Sequence, residues 1–392
     1  MDHGTDLTRR RFLLGMGALS CCSVLGLPRL AFASAPTEKR LMVVILRGAM
    51  DGLGAIAPIK DANYHAIRSK LALPETALLP LDGYFAMHRA LQPIHALYGS
   101  KELLVLHAVS TPYRDRSHFD AQDLLENGSP RPHGLNTGWL GRTLQAMAGT
   151  KGLAVGPSVP LIMQGSKQVQ SWAPSMLPET DADFLSRVSY MYAADPMFGD
   201  ALKEAGGMAD MAKGNAVRGQ RQFIDLMKNA ATFMVKPDGA RLATIDLTGW
   251  DTHAGQGTDN GRLPQALGVL AEGLSAFRSG MGAAWKDTAV LVVTEFGRTV
   301  RMNGTGGTDH GTGSVAFLLG GTVRGGQIIG EWPTLAENAL YEGRDLYPAN
   351  DMRSLQKAVL QQHLGLSADV VESAIFPDSR SSAAYPGLFA NA

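Results

Sequence analysis

Apolar residues along the chain gather into short unbroken runs separated by amphipathic stretches. The runs are Leu41-Met42-Val43-Val44-Ile45-Leu46, Leu103-Leu104-Val105-Leu106-His107-Ala108-Val109, Leu242-Ala243-Thr244-Ile245-Asp246-Leu247, Ala289-Val290-Leu291-Val292-Val293-Thr294 and Val315-Ala316-Phe317-Leu318-Leu319. Continuous rather than alternating apolarity predicts strands buried on both faces. Helical periodicity lies between them, over 92–98, 119–126, 200–233 and 263–277. Strands alternating with helices predict an α/β sandwich around a largely parallel sheet. The stretch 165–235 is the least regular and is expected to hold a helical insert.

Open α/β sheets bind ligands at the carboxyl ends of their strands. The polar residues that follow each apolar run therefore carry the candidate chemistry: 47–51, 111–120, 248–253 and 295–298. The Gly-rich loop 303–313, before the last run, joins them because its composition suits a surface or a site rather than a core.

The N-terminus has a different pattern. Thr8-Arg9-Arg10-Arg11-Phe12-Leu13 leads into an apolar run over 14–27, then Ala31-Phe32-Ala33-Ser34-Ala35. Paired arginines, a mild apolar core and small residues read as a twin-arginine export signal over 1–35. The run is short of the roughly 20 residues that span a bilayer. The expectation is one periplasmic or secreted domain over 36–392, without an integral membrane span. Lys plus Arg and Asp plus Glu number 36 each, which argues against nucleic acid or an anionic membrane as partner. The only cysteines, Cys21 and Cys22, lie in the signal. Any metal must then be held by His, Asp and Glu, which suits zinc, manganese, calcium or magnesium.

Four segments mix imidazole or carboxylate with strand ends or glycines: Arg114-Asp115-Arg116-Ser117-His118-Phe119-Asp120, Gly249-Trp250-Asp251-Thr252-His253, Thr294-Glu295-Phe296-Gly297-Arg298-Thr299 and Gly306-Gly307-Thr308-Asp309-His310-Gly311-Thr312-Gly313. Imidazoles and carboxylates can hold a divalent ion that polarises an ester or acidifies water. Arginines match tetrahedral oxyanions. Ser117 stands where a loop becomes a helix, a place that attracts anions. Each residue also has a plainer reading. Ser117 is a good helix cap, Asp251 and His253 could brace a turn, and Asp51 could make a turn with Gly52. His107 and His363 read as core histidines, and His88, His95 and His133 carry no signal.

Leu46-Arg47-Gly48-Ala49-Met50-Asp51-Gly52, Ser117-His118-Phe119-Asp120-Ala121-Gln122-Asp123, Trp250-Asp251-Thr252-His253, Thr294-Glu295-Phe296-Gly297-Arg298 and Gly307-Thr308-Asp309-His310-Gly311 resemble the bacterial domain-of-unknown-function family 1501, which looks like a distant branch of the alkaline phosphatase and sulfatase superfamily. The resemblance implies that superfamily's sandwich, with a mixed, mainly parallel sheet and a metal site at its carboxyl edge. His253 and His310 match metal-binding histidines, Ser117 the nucleophile, and Asp351 the Asp that opens a late helix over 355–366. Three places depart from the pattern. Gly249 stands where an acidic ligand is usual, leaving Asp251 as the nearest carboxylate. Phe296 replaces a His after Glu295. Arg47 and Gly48 stand where a metal-binding Asp follows the first strand, with Asp51 three residues on.

The resulting expectation is an exported, metal-dependent hydrolase acting on a phosphate or sulfate ester, either a small anionic molecule or a glycan. Ser117 would be nucleophile or orienting hydroxyl. Asp51, Asp251, His253, Glu295, Asp309 and His310 would hold or orient metal, and Arg47, Arg116 and Arg298 would bind the anionic group. His253 and His310 should place ligand nitrogens roughly 3–4 Å apart. The alternative is a catalytically silent member that binds an anionic glycan or an envelope partner.

Overall fold

The computed structural model describes residues 37–174, 188, 191 and 221–390. The export signal expected over 1–35 lies outside the described residues. The described strands, in chain order, are β1 (Arg40–Arg47), β2 (Ile56–Ala57), β3 (Leu78–Pro80), β4 (Ala86–His88), β5 (Leu103–Ser110), β6 (Gly152–Val155), β7 (Val169–Trp172), β8 (Leu242–Thr248), β9 (Thr288–Thr294), β10 (Ser314–Gly320), β11 (Gln327–Ile329) and β12 (Asn350–Asp351). The described helices used below are α1 (Gly52–Ala55), α2 (Tyr64–Arg68), α3 (Gln92–Gly99), α4 (His118–Asn127), α5 (Trp139–Ala146), α6 (Arg221–Met234), α7 (Arg262–Met281) and α8 (Met352–Ala358).

The main sheet runs β11-β5-β10-β9-β1-β8-β6-β7, with β12 also on β5. All its described pairings are parallel except those of β10, which runs antiparallel to both β5 and β9. The sheet is therefore mixed and mainly parallel. Because β10 is reversed, its amino end lies at the carboxyl edge of its neighbours. That brings the loop over 303–313 to the same edge as the ends of β1, β8 and β9. Strands β2, β3 and β4 form a small antiparallel sheet of their own.

Strand β1 shows why the apolar runs are unbroken. Met42, Val44 and Leu46 pack into one core with α3, α6 and α7. Leu41, Val43 and Ile45 pack into another with α5 and α8. Successive side chains alternate between the faces, and both faces are covered, so no position is left for a polar residue. Each fully buried aliphatic side chain contributes about 1.5–3 kcal/mol. His107 and His363 are buried, each with a ring nitrogen bonded to a backbone carbonyl, that of Ile56 and of Arg40 respectively.

Within 165–235 the described residues hold a strand and a helix. Val169–Trp172 is an edge strand parallel to β6, and α6 packs in the core beside α7. Residues 175–187, 189, 190 and 192–220 lie outside the described residues. None of the described helices is long and apolar enough to cross a membrane.

Candidate metal centre

Three chain segments meet at the carboxyl edge. The first is the start of α4. Ser117 has the extended backbone of a helix cap, but its side chain makes no cap bond. Arg116 before it has a left-handed φ of 61°, and this turns the chain so that the His118 ring faces the sheet edge. The second is the loop after β8. It is seated by Gly48, whose φ is +120° and whose Cβ, if present, would lie 2.6 Å from the Asp251 amide. The third is a pair of backbone stretches zipped together: Gly297 N donates to Thr312 O, Gly311 N to Gly297 O and Thr299 N to Asp309 O, at 2.8–2.9 Å. This pairing aligns Arg298 with His310.

The Nε2 atoms of three histidines converge. His310 Nε2 is 3.0 Å from His118 Nε2 and 3.0 Å from His253 Nε2. Asp251 completes the group, with Oδ1 at 3.0 Å from His253 Nε2 and 3.3 Å from His310 Nε2, and Oδ2 at 3.7 Å from His118 Nε2. His118, Asp251 and His310 form a set able to hold a metal ion. The opposite nitrogens are all occupied. His118 Nδ1 bonds Glu295 Oε1 at 2.8 Å, His253 Nδ1 bonds Asp309 Oδ1 at 3.0 Å, and His310 Nδ1 bonds the Arg116 carbonyl at 3.0 Å. A carbonyl only accepts, so His310 carries its proton on Nδ1, and the two carboxylates favour the same tautomer in the other rings. The Nε2 lone pairs then face one another. A proton placed among them charges at least one ring, which then lies against the other imidazoles and near the Arg298 guanidinium. One divalent cation satisfies all of them. Occupied outer nitrogens are also how metal-binding histidines are oriented.

The surrounding groups tune this set. The hydrogen bond that His118 donates to Glu295 raises the His118 pKa, whereas burial and the neighbouring His118 lower that of His310. Burial works to raise the Asp251 pKa, but the bond and charge of Arg298 hold it below the usual carboxylate range. Burial likewise opposes ionisation of Glu295, yet bonds from His118, Gln122 and the Gly48 amide keep its pKa low. Glu295 is fully buried, so it is a fixed anion behind His118 rather than a group open to substrate. Asp309 is held low by the Asn303 amide.

The residues singled out from sequence are thus distributed unevenly. Asp251, His253 and His310 share the centre, while Glu295 and Asp309 sit behind two of its rings. Asp51 does not join them: it is buried, ion-paired with Arg68 and bonded by Gln256 Nε2 at 2.5 Å. The buried Arg68 guanidinium needs a counter-ion there, and Asp51 supplies it. The arginines expected to receive an anion are held by carboxylates. Arg47 pairs with Glu126 at 2.9 Å and Asp246 at 2.6 Å. Arg116 pairs with Glu342 and Asp345, so its contribution to the centre is its carbonyl. Arg298 is buried and pairs with Asp251. Ser117 directly precedes the ring-bearing His118, and its hydroxyl is beside the Tyr113 phenol.

His118 is the member that sequence reasoning passed over, because the helix start was assigned to Ser117. Its signal was Phe296. The His118 ring stacks on the Phe296 ring, with centroids 4.9 Å apart. Phe296, just past the end of β9, thus supports an imidazole delivered from α4.

Three imidazoles and a carboxylate thus meet on the carboxyl edge of a mainly parallel α/β sheet. The family model described as "Protein of unknown function (DUF1501)" matches residues 100–375, and the chain belongs to that family. No curated protein matches the sequence. Similar solved structures include the C-terminal periplasmic domain of EcEptC from Escherichia coli in complex with Zn, 12% identical, covering 72% of this chain and 73% of that one at a TM-score of 0.39. Another is the phosphonate monoester hydrolase of Agrobacterium radiobacter, 10% identical over 77% of this chain and 74% of that one, TM-score 0.34. A third is murine ectonucleotide pyrophosphatase/phosphodiesterase 5, 11% identical over 66% of this chain and 57% of that one, TM-score 0.34.

Proposed function

We propose that this chain is an exported, metal-dependent hydrolase of phosphate or sulfate esters that holds one divalent ion on His118, Asp251, His253 and His310. The observation that carries the reading is the convergence of three Nε2 atoms whose partner nitrogens are all engaged. Three imidazoles and a carboxylate favour zinc or manganese; calcium and magnesium prefer all-oxygen sets. When bound, such an ion polarises an ester oxygen and lowers the pKa of coordinated water.

The chain's own groups have separate tasks in this reading. Glu295 and Asp309 hold the outer protons of His118 and His253 and keep their Nε2 lone pairs turned inward. The buried Arg298 supplies fixed positive charge for an anionic group at the centre. Ser117, which makes no cap bond to its helix, is our candidate for the hydroxyl that attacks or orients water. Export follows from the Arg9-Arg10 signal, and the chain folds as a single domain over 36–392.

A second reading has an observation of its own. Arg47 and Arg116 are held by carboxylates, leaving Arg298 as the guanidinium in contact with the centre. A silent protein that binds an anionic glycan or an envelope partner would need no larger anion cradle. A paired assay of metal content and hydrolysis across phosphate and sulfate monoesters and diesters separates the two. Metal with turnover supports the hydrolase; metal without turnover on any of them supports the binding protein.

A further inference from the structure

Asp251 occupies an unusual place among the ligands. Its Oδ1 atom receives the Arg298 guanidinium and also faces His253 and His310 Nε2 at 3.0 and 3.3 Å. Arg298 is fully buried; it bonds Thr308 through both its hydroxyl and its carbonyl, and Asp251 is its carboxylate partner. Guanidinium and imidazoles are thus all fixed from behind. Asp251 is not: its side chain is 45% exposed, and no backbone amide donates to it among the described residues. It hangs from a loop, held through the same atoms that a tetrahedral oxyanion would seek.

We propose that Asp251 is a displaceable stand-in for the anionic group of the ligand, so that an incoming phosphoryl or sulfuryl oxygen takes over its contacts with Arg298 and with the centre. This rests on the metal-dependent reading above. The three imidazoles are the permanent holders, since each is braced by Glu295, Asp309 or the Arg116 carbonyl. The carboxylate neutralises Arg298 in the resting protein and prevents free anions from settling there. A ligand pays for its removal through contacts beyond the anionic group, so the site discriminates between a whole ester and bare phosphate. The exchange breaks no covalent bond: the Asp251 carboxylate gives up its contacts with Arg298 and the centre, and the oxyanion takes them.

The test uses the full mature protein loaded with zinc, and inorganic phosphate as probe. Metal content and phosphate affinity are measured for wild type, Asp251→Ala and Asp251→Asn. The expected result is that both variants keep their zinc on three histidines and bind phosphate at least about tenfold more tightly, because the competing carboxylate is gone. Asn, of nearly the same size, guards against a loop that fails to form in the Ala variant. Loss of zinc from both variants while wild type retains it would make Asp251 an ordinary obligatory ligand and overturn the proposal. Retained zinc with unchanged or weaker phosphate binding overturns it as well. A wild-type protein that takes up no zinc fails at the earlier step, and the metal-dependent reading falls with it.

Discussion

At the residue scale, what decides the site is direction. The sequence places Asp51, Ser117, Asp251, His253, Glu295, Asp309 and His310 at strand ends or helix starts, and strand ends do converge in a parallel sheet. Whether a side chain points into the centre, behind it or away from it depends on the turn it sits in. Asp51 is drawn to Arg68, Glu295 turns under His118, and Arg116 sends its carbonyl inward and its guanidinium outward. No spacing rule encodes those choices. Two outcomes follow. His118→Ala should strip the metal as completely as His310→Ala, measured by metal content after dialysis, because the centre then loses one of its three imidazoles. Glu295→Gln should weaken metal affinity by about 10–100-fold, since the outer partner of a ligand His sets its orientation and basicity. By contrast, Ser117→Ala should keep its metal and lower turnover. Its stability should change by less than the roughly 1 kcal/mol of a lost helix cap, as Ser117 makes no cap bond.

At the element scale, the apolar runs were the clearest signal, and all five strands read from them are present, with helices at Gln92–Gly99, His118–Asn127 and Arg262–Met281; of the helix read over 200–233, the described part is Arg221–Met234. The short strands β6 and β7 were not legible: four residues bordered by Gly and Pro give too little pattern to separate strand from loop. The reversal of β10 was not legible either, because a buried antiparallel strand is as uniformly apolar as a parallel one. Helix α7 carries much of one core, and its Leu267 is fully buried. Leu267→Ala should cost about 2–5 kcal/mol in urea unfolding, with metal content in the folded fraction unchanged. Gly48→Ala should behave differently. Its new Cβ would meet the Asp251 amide, so it should disturb the loop after β8 and reduce metal retention more than its effect on the unfolding midpoint would suggest.

At the scale of the whole molecule, two buried histidines outside the centre, His107 and His363, link stability to pH. Burial lowers His107 and His363 to about 4, against slight upward pulls from the Ile56 and Arg40 carbonyls. An unfolded chain titrates His near 6.5. Between those values the unfolded state binds more protons, so stability falls as pH drops from about 6.5 to about 4, by roughly 3 kcal/mol for each ring. Unfolding midpoints between pH 7 and pH 5 should show this fall, and His107→Gln should make it shallower; an equally steep fall in that variant would assign the effect elsewhere. The most direct test of the account is the metal stoichiometry of the mature wild-type protein, purified without chelator and dialysed after exposure to zinc or manganese. About one tightly held ion per chain is expected, lost when His118, His253 or His310 becomes Ala. A wild-type protein that retains no ion, or one whose bound ion survives all three substitutions, would contradict it.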